Sequence, residues 1–441
     1  MRTSWIANGA LAGVAALALV FQWRLVVSNS PTWAIYDVPV FAIGFALAWR
    51  FQQALSLRGV LALTLLFRLG SILVFRHLGY AGDQDPNDVY LTQGHQLLHG
   101  SYPHSEYPVL AVLLFALEAA VDPNPPQVAN AFILLPFVLV CVWGIWSLRT
   151  QWSGWLAACV GLAPLDAYYW QFRYDGIPAA LLVVGIVLAA RTRWAAAGIA
   201  LALGACFKWT PGLAAVALVV WLLAQRRTRD SLRVAVAFVA TCALIYIPFL
   251  VRWPARDVLA SFRLQSVRSV TAESLWYWPA RALGLTHGIV PEWAPAGVPH
   301  WVDVTATIVQ IALLLALLAA LWRRRRAGLA FAALLPVLFL TTNRVFSSQF
   351  VLILGVGWAM AAALCARDRR DQLVVGAAIL LASTATAFVY PFSDPFRSFS
   401  YRPWAAAAWV VILVADALVV GRAVGYGRQT PWHPVRRRGA P

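Results

Sequence analysis

Lysine is almost missing from this chain: of 35 basic residues, Lys208 alone is a lysine. Charge of either sign is scarce. Only 12% of the 441 residues are charged, and the acids number 18. That poverty excludes a soluble globular protein, which at this length needs far more polar surface. Cysteine is sparse too. Cys141, Cys159, Cys206, Cys242 and Cys365 all lie inside apolar runs. Their setting excludes a disulfide framework or a cysteine metal site and leaves them as small core residues. No Walker A or Rossmann glycine pattern occurs, so ATP or nucleotide-sugar chemistry finds no support.

What the chain has in abundance is hydrocarbon. It is 61% hydrophobic, with a mean hydropathy of +0.69. These values predict an all-α polytopic membrane protein, because helices satisfy their own backbone groups in lipid. The net charge of +17 does not point to nucleic acid, since the basic residues form short clusters between apolar spans. The N-terminus is Met1 and Arg2 followed by an apolar run from Trp5. It shows no clear small-residue cleavage site, which favours an uncleaved first helix over a signal peptide.

About 14 spans can be drawn: 5–27, 33–50, 58–78, 127–148, 154–170, 176–190, 194–207, 209–224, 233–251, 301–322, 328–342, 347–365, 372–390 and 403–421. Two choices are decided by positive-inside arithmetic. Residues 108–121 are placed on the outer surface, and 194–224 is broken near Lys208-Trp209-Thr210-Pro211. Pro211 supplies a local reason for that break. With these choices 22 of the 35 basic residues fall in the cytoplasm, and 14 of the 18 acids fall on or near the outer face. The chain is then expected in the plasma membrane with both termini cytoplasmic. Its division is 1–57 as two additional helices, 58–365 as the core, and 366–441 as C-terminal helices with a basic tail. The core carries an outer loop, 79–126, and an outer segment, 252–300.

Polar outer stretches converging on one face read as one active site. In GDQDPNDVYLTQGHQLLHGSYPHSEYP (82–108), Asp83, Asp85 and Asp88 stand just past the third span. They read as a hydrated acidic loop, or as a general base or metal ligand at the interface. A partly desolvated carboxylate there gains basicity toward a hydroxyl. His95 and His99 are spaced i, i+4, which suits a groove-lining polar face better than a metal site, because no HExxH accompanies them. Arg173 and Asp175 in QFRYDG read as a structural ion pair or a site pair. Lys208 is a lone charge at a helix break between short spans; such a charge defaults to a functional candidate, here toward a phosphate, with snorkelling as the alternative. Arg263, Gln265, Arg268 and Glu273 alternate with Trp276, Tyr277 and Trp278, and Asn343, Arg344 and Gln349 mark another outer helix end. Arg344 is placed to bind phosphate bidentately, or to pack on headgroups.

These stretches resemble a known family when taken in order. An acidic loop ends in "VY"; a helix ends in "LLHGSYP"; "EYP" follows. Then come "FRYDGIPAALLV", "GACFKWTPGL", "FRLQSVRSVTAESL" and "NRVFSSQF". The sequence looks like the actinobacterial branch of glycosyltransferase family 87, in the GT-C superfamily, over roughly 58–365. The resemblance implies an inverting, integral-membrane transferase that takes a sugar, typically mannose, from a polyprenyl phosphate on the outer face. The partners it implies are that donor, a lipid or glycan acceptor and the membrane. It names no definite cofactor, and a divalent cation is compatible with it. Its base aspartate stands four residues before the tyrosine; here that position is Pro86, flanked by Asp85 and Asp88. The glutamate before the family's Tyr-Pro-Pro matches Glu106, next to Tyr107, with Val109 in place of the second proline. The lysine of "KxxP" matches Lys208, Arg-x-Asp matches Arg173 and Asp175, and Arg344 stands where lysine is frequent. The resemblance implies donor phosphate binding by Lys208, Arg263 and Arg344. It places Asp83, His95, His99, Glu106, Tyr107, Arg173, Asp175, Gln265, Glu273 and Gln349 around acceptor or sugar. The rival classes are a transporter or lipid flippase, which would also hold charges among broken helices, and a non-catalytic membrane scaffold.

Overall fold

The computed structural model of the chain describes residues 2–28, 32–77, 85–121, 126–148, 153–163, 167–286, 295–323, 327–365, 368–389 and 401–426. These residues form α-helices joined by short connections; the one β feature among them is an isolated bridge between Thr271 and Pro295. The helices are α1 (Arg2–Ser28), α2 (Thr32–Arg50), α3 (Leu57–His77), α4 (Thr92–Leu98), α5 (Val109–Val121), α6 (Pro126–Ser147) and α7 (Ser153–Leu162). They continue with α8 (Ala167–Phe172), α9 (Gly176–Ala190), α10 (Trp194–Phe207), α11 (Thr210–Ala224), α12 (Thr228–Arg252), α13 (Ala255–Val258) and α14 (Ala260–Val267). The last six are α15 (Tyr277–Ala282), α16 (His300–Arg323), α17 (Gly328–Thr342), α18 (Val351–Cys365), α19 (Arg369–Val389) and α20 (Tyr401–Tyr426).

Seven of the described helices are long and apolar enough to cross a membrane, and a further seven apolar helices are shorter. All but one of the spans drawn from the sequence fall mainly on a single helix. One segment, 154–170, departs from the expectation of a single span: α7 ends at Leu162 and α8 begins only at Ala167. The helix α5 has 13 residues, short of the roughly 20 needed to cross hydrocarbon upright. Its Leu113, Leu117 and Val121 are exposed on one side.

Burial separates centre from edge. Of the crossing-length window in the Ser348–Cys365 helix, 89% is buried inside the protein, against 6% for Thr228–Arg252 and 22% for His300–Arg323. The first is apolar on all sides because protein surrounds it, and the other two turn most of their apolar side chains outward, as a helix crossing a membrane would. One hydrophobic core runs from Ala7 in α1 to Ala423 in α20, with α9, α11, α17 and α18 at its middle. The first and last helix pairs close around α7: Arg369 donates to the Trp49 and Arg50 carbonyls at 3.2 and 3.1 Å, and Arg422 pairs with Asp371 at 2.7 Å.

Two local features set up the site. The break between α10 and α11 is present, with Lys208 extended (φ −156°, ψ 116°) and Pro211 in the first turn of α11, where its missing N–H costs nothing. A seven-residue π-type turn, Asp85–Leu91, leads into α4. α4 then lies so close to α5 that a Cβ at Gly94 would stand 2.1 Å from the Phe115 carbonyl oxygen.

Candidate functional site

A cavity of about 500 Å³ opens where these segments converge. Its wall takes Val89 from the π-type turn, Glu106 and Tyr107 from the loop before α5, and Arg173 and Tyr174 from the turn before α9. Lys208, Trp209 and Thr210 come from the α10–α11 break, Gln265 and Arg268 from α14 and its exit, and Glu273 from the strip that follows. Asn343 through Phe350 contribute Asn343, Ser347, Ser348 and Gln349.

Backbone and side-chain bonds hold these segments in place. Thr271 N donates to the Arg344 carbonyl at 3.0 Å, and Phe346 N donates to Thr271 Oγ1 at 3.1 Å. Trp276 Nε1 donates to the Thr342 carbonyl at 2.8 Å. Asp303 receives Val270 N at 2.9 Å and the Ser269 hydroxyl. On the opposite side, Trp253 Nε1 donates to the Gly100 carbonyl at 3.0 Å, and Ser105 Oγ donates to Gln93 Oε1 at 2.6 Å. Tyr90, Tyr107, Phe115 and Tyr174 interlock edge to face, with Tyr90 stacked on Phe115 at 4.2 Å. This aromatic block sets the floor under Glu106 and Lys208.

Two cations of the wall, Lys208 and Arg268, are paired with carboxylates. The Lys208 ammonium donates to the buried Asp175 carboxylate and lies 4.1 Å from the Phe350 ring centroid. Burial draws its pKa below the ordinary lysine value, with the Asp175 charge opposing. Arg268 Nη1 donates to Glu106 Oε2 at 2.8 Å. The Ser348 hydroxyl donates to Glu273 Oε1, and the Glu273 carbonyl accepts from Trp409 Nε1 at 2.9 Å. Trp209, Phe339, Leu340, Val345 and Phe346 add apolar surface to the same wall. A cavity lined by both charged and apolar residues suits an amphiphile, with a polar head and a hydrocarbon tail.

Several sequence expectations change here. His95 and His99 do not line the cavity; they are exposed on α4 with their rings stacked at 6.3 Å, because the inward face of α4 is given to Gly94. Among the described residues no three His, Cys, Asp or Glu side chains gather as metal ligands. Arg263 is exposed and outside the cavity wall, and Arg268 stands there instead. Arg344 is not in the wall either: its Nη2 donates to the Ser266 carbonyl. Asp175 is fully buried behind Lys208 and is not itself part of the wall. Asp83 lies outside the described residues, as does the Asp85 side chain, whose backbone opens the π-type turn. Asp88 is exposed and does not line the cavity, although its neighbour Val89 does.

Glu106, Tyr107, Arg173, Lys208, Gln265, Glu273 and Gln349 are brought together as expected. Arg268 was singled out but given no site role, and Trp209, Thr210, Thr271 and Ser348 were missed. A signal for Arg268 was present: Ser261, Gln265 and Arg268 recur at i, i+4, i+7, one polar helix face, whereas Arg263 falls opposite. No protein-family model and no curated protein matches the chain.

Proposed function

We propose that this chain is an integral-membrane inverting glycosyltransferase. It moves a sugar, with mannose the expected hexose, from a polyprenyl-phosphate donor to a lipid or glycan acceptor on the extracytoplasmic face. The observation that carries the reading is the shared cavity. "EYP", "FRYDG", "FKWTP", "FRLQSVRSVTAES" and "NRVFSSQF" are far apart in sequence, and each supplies wall residues to the same space.

The chemistry follows from the wall. The prenyl chain lies against Trp209, Phe339 and Leu340, and the phosphate meets the cations of the wall. Tyr107 and Trp209 offer the flat apolar faces that sugar C–H groups prefer. A carboxylate removes the proton of the acceptor hydroxyl, which attacks the anomeric carbon opposite the phosphate. Polyprenyl phosphate leaves as an anion, so nearby cations take the place of a general acid. By the family resemblance the base lies at Asp85 or Asp88, in the turn that carries Val89 to the wall.

The test is transfer by the purified chain in proteoliposomes, given radiolabelled polyprenyl-phosphate mannose and extracted membrane lipids. Label in a new lipid or glycan product supports the reading. Label that crosses the bilayer still attached to polyprenyl phosphate replaces it with a flippase. Full transfer by both Asp85→Asn and Asp88→Asn removes the base from that turn.

A further inference from the structure

Two carboxylates stand in the described cavity wall, and they are held differently. Glu273 is buried, bonded to Ser348 through its side chain and to Trp409 through its carbonyl. Glu106 is 35% exposed, and so is its partner Arg268. Among the described residues, the 2.8 Å bond from Arg268 Nη1 to Glu106 Oε2 is the one hydrogen bond made by either side chain. The two are 162 residues apart in sequence, so this bond joins the loop before α5 to the exit of α14 across the cavity. A half-exposed ion pair contributes little and opens easily, and neither partner is anchored by a second bond.

Formal charge makes that opening consequential. Arg173, Lys208 and Arg268 in the wall are matched by Glu106, Glu273 and the Asp175 behind Lys208. An incoming phosphate therefore meets a cavity without surplus formal positive charge, and Lys208 and Arg268 each already face a carboxylate. Lys208 is committed to a fully buried carboxylate, which would be left uncompensated at high cost. Arg268 is the exposed cation with a single bond, and its planar fork suits a phosphate.

We propose that Arg268 and Glu106 form an exchangeable pair: Arg268 leaves Glu106 for the phosphate of the incoming donor, and the released Glu106 carboxylate is the base. This rests on the transferase reading above and takes Glu106, which lines the cavity, as its base in place of an acid of the Asp85–Asp88 turn. The acceptor O–H bond breaks and its proton passes to Glu106. The acceptor oxygen bonds the anomeric carbon, and the bond from that carbon to phosphate oxygen breaks. The electron pair leaves with polyprenyl phosphate, whose added charge Arg268 meets. Glu106 then returns its proton to water and recaptures Arg268 as the product phosphate departs. Donor binding thus switches on the base, which protects an unoccupied site from idle proton transfer.

The experiment uses the full chain in detergent with farnesyl phosphate as a probe and farnesol as its uncharged control. Exchange predicts opposite signs. Glu106→Gln, which frees Arg268, tightens farnesyl phosphate binding about fivefold, and Arg268→Gln weakens it about tenfold, while farnesol binds all forms alike. In the transfer assay Glu106→Gln loses about a hundredfold or more. Unchanged or weaker phosphate binding by Glu106→Gln overturns the exchange, and full transfer by that variant overturns the base. If Glu106→Gln does not fold, Glu106→Asp shortens the reach to Arg268 and is expected to tighten binding in the same direction. A chain that transfers no sugar at all refutes the transferase reading, yet the two binding signs still decide whether the pair exchanges.

Discussion

The one lysine of the chain is hydrogen-bonded to a carboxylate that no solvent reaches: Lys208 meets Asp175 at the break between two short helices. Breaking such a pair from one side leaves a buried charge alone, at a cost of about 3–5 kcal/mol. Asp175→Asn is therefore expected to lower thermal stability strongly. Adding Lys208→Met to it recovers much of the loss, and a thermal-unfolding mutant cycle in detergent checks this non-additivity. Additive losses would separate the two residues.

The approach of α4 to α5 depends on Gly94, where a Cβ would collide with backbone rather than with a movable side chain. Gly94→Ala is expected to cost about 1–3 kcal/mol through overpacking. The same change at Gly100, where nothing lies within 4 Å but φ is +86°, acts instead through backbone strain. Melting temperatures of the two variants should both fall, and only Gly94→Ala should also change farnesyl phosphate binding, because α4 carries the loop that ends at Glu106.

His95 and His99 are exposed and outside the cavity wall. The double variant His95→Ala/His99→Ala is expected to keep transfer within about twofold of the wild type. Its response to added divalent cations should also be unchanged. A collapse of activity would place these rings at the site.

Asp368 caps α19, with Arg370 N and Asp371 N each donating to its Oδ1 at 2.9 Å. These bonds, that from Asp371 first, hold its pKa below the ordinary carboxylate value of 3.8. A carboxylate depressed in the folded state contributes stability at any pH above its unfolded value, and that contribution disappears as pH falls through the folded value. Asp368→Ala should therefore melt below the wild type at neutral pH, and the gap should close below pH 3.8.

Much of the helical framework was legible because it is written in composition. Apolar runs bounded by arginine become helices whatever surrounds them, and Pro211 marks the α10–α11 break. The end of α7 at Leu162 did have a local signal in Pro164, which the reading of 154–170 as one apolar span passed over. The site was legible at the level of segments: of the quoted stretches, all but "LLHGSYP" supply residues to the cavity wall. It was less legible at the level of side chains. Arg263 and Arg268 are equivalent by type, and only the helical phase of α14 sends one outward and the other inward. Asp175 and Arg344 are turned from the wall to Lys208 and to the Ser266 carbonyl, contacts made between distant segments that no local pattern encodes.

The central claim is sugar transfer from a lipid phosphate, and the most direct measurement follows the label. Purified wild-type chain in proteoliposomes receives polyprenyl phosphate carrying radiolabelled mannose, with extracted membrane lipids as acceptor. The account predicts that label leaves polyprenyl phosphate and appears in a new glycosidic product of inverted anomeric configuration, and that Glu106→Gln abolishes this. Label that stays on polyprenyl phosphate, with the donor bound or moved across the bilayer intact, would contradict it.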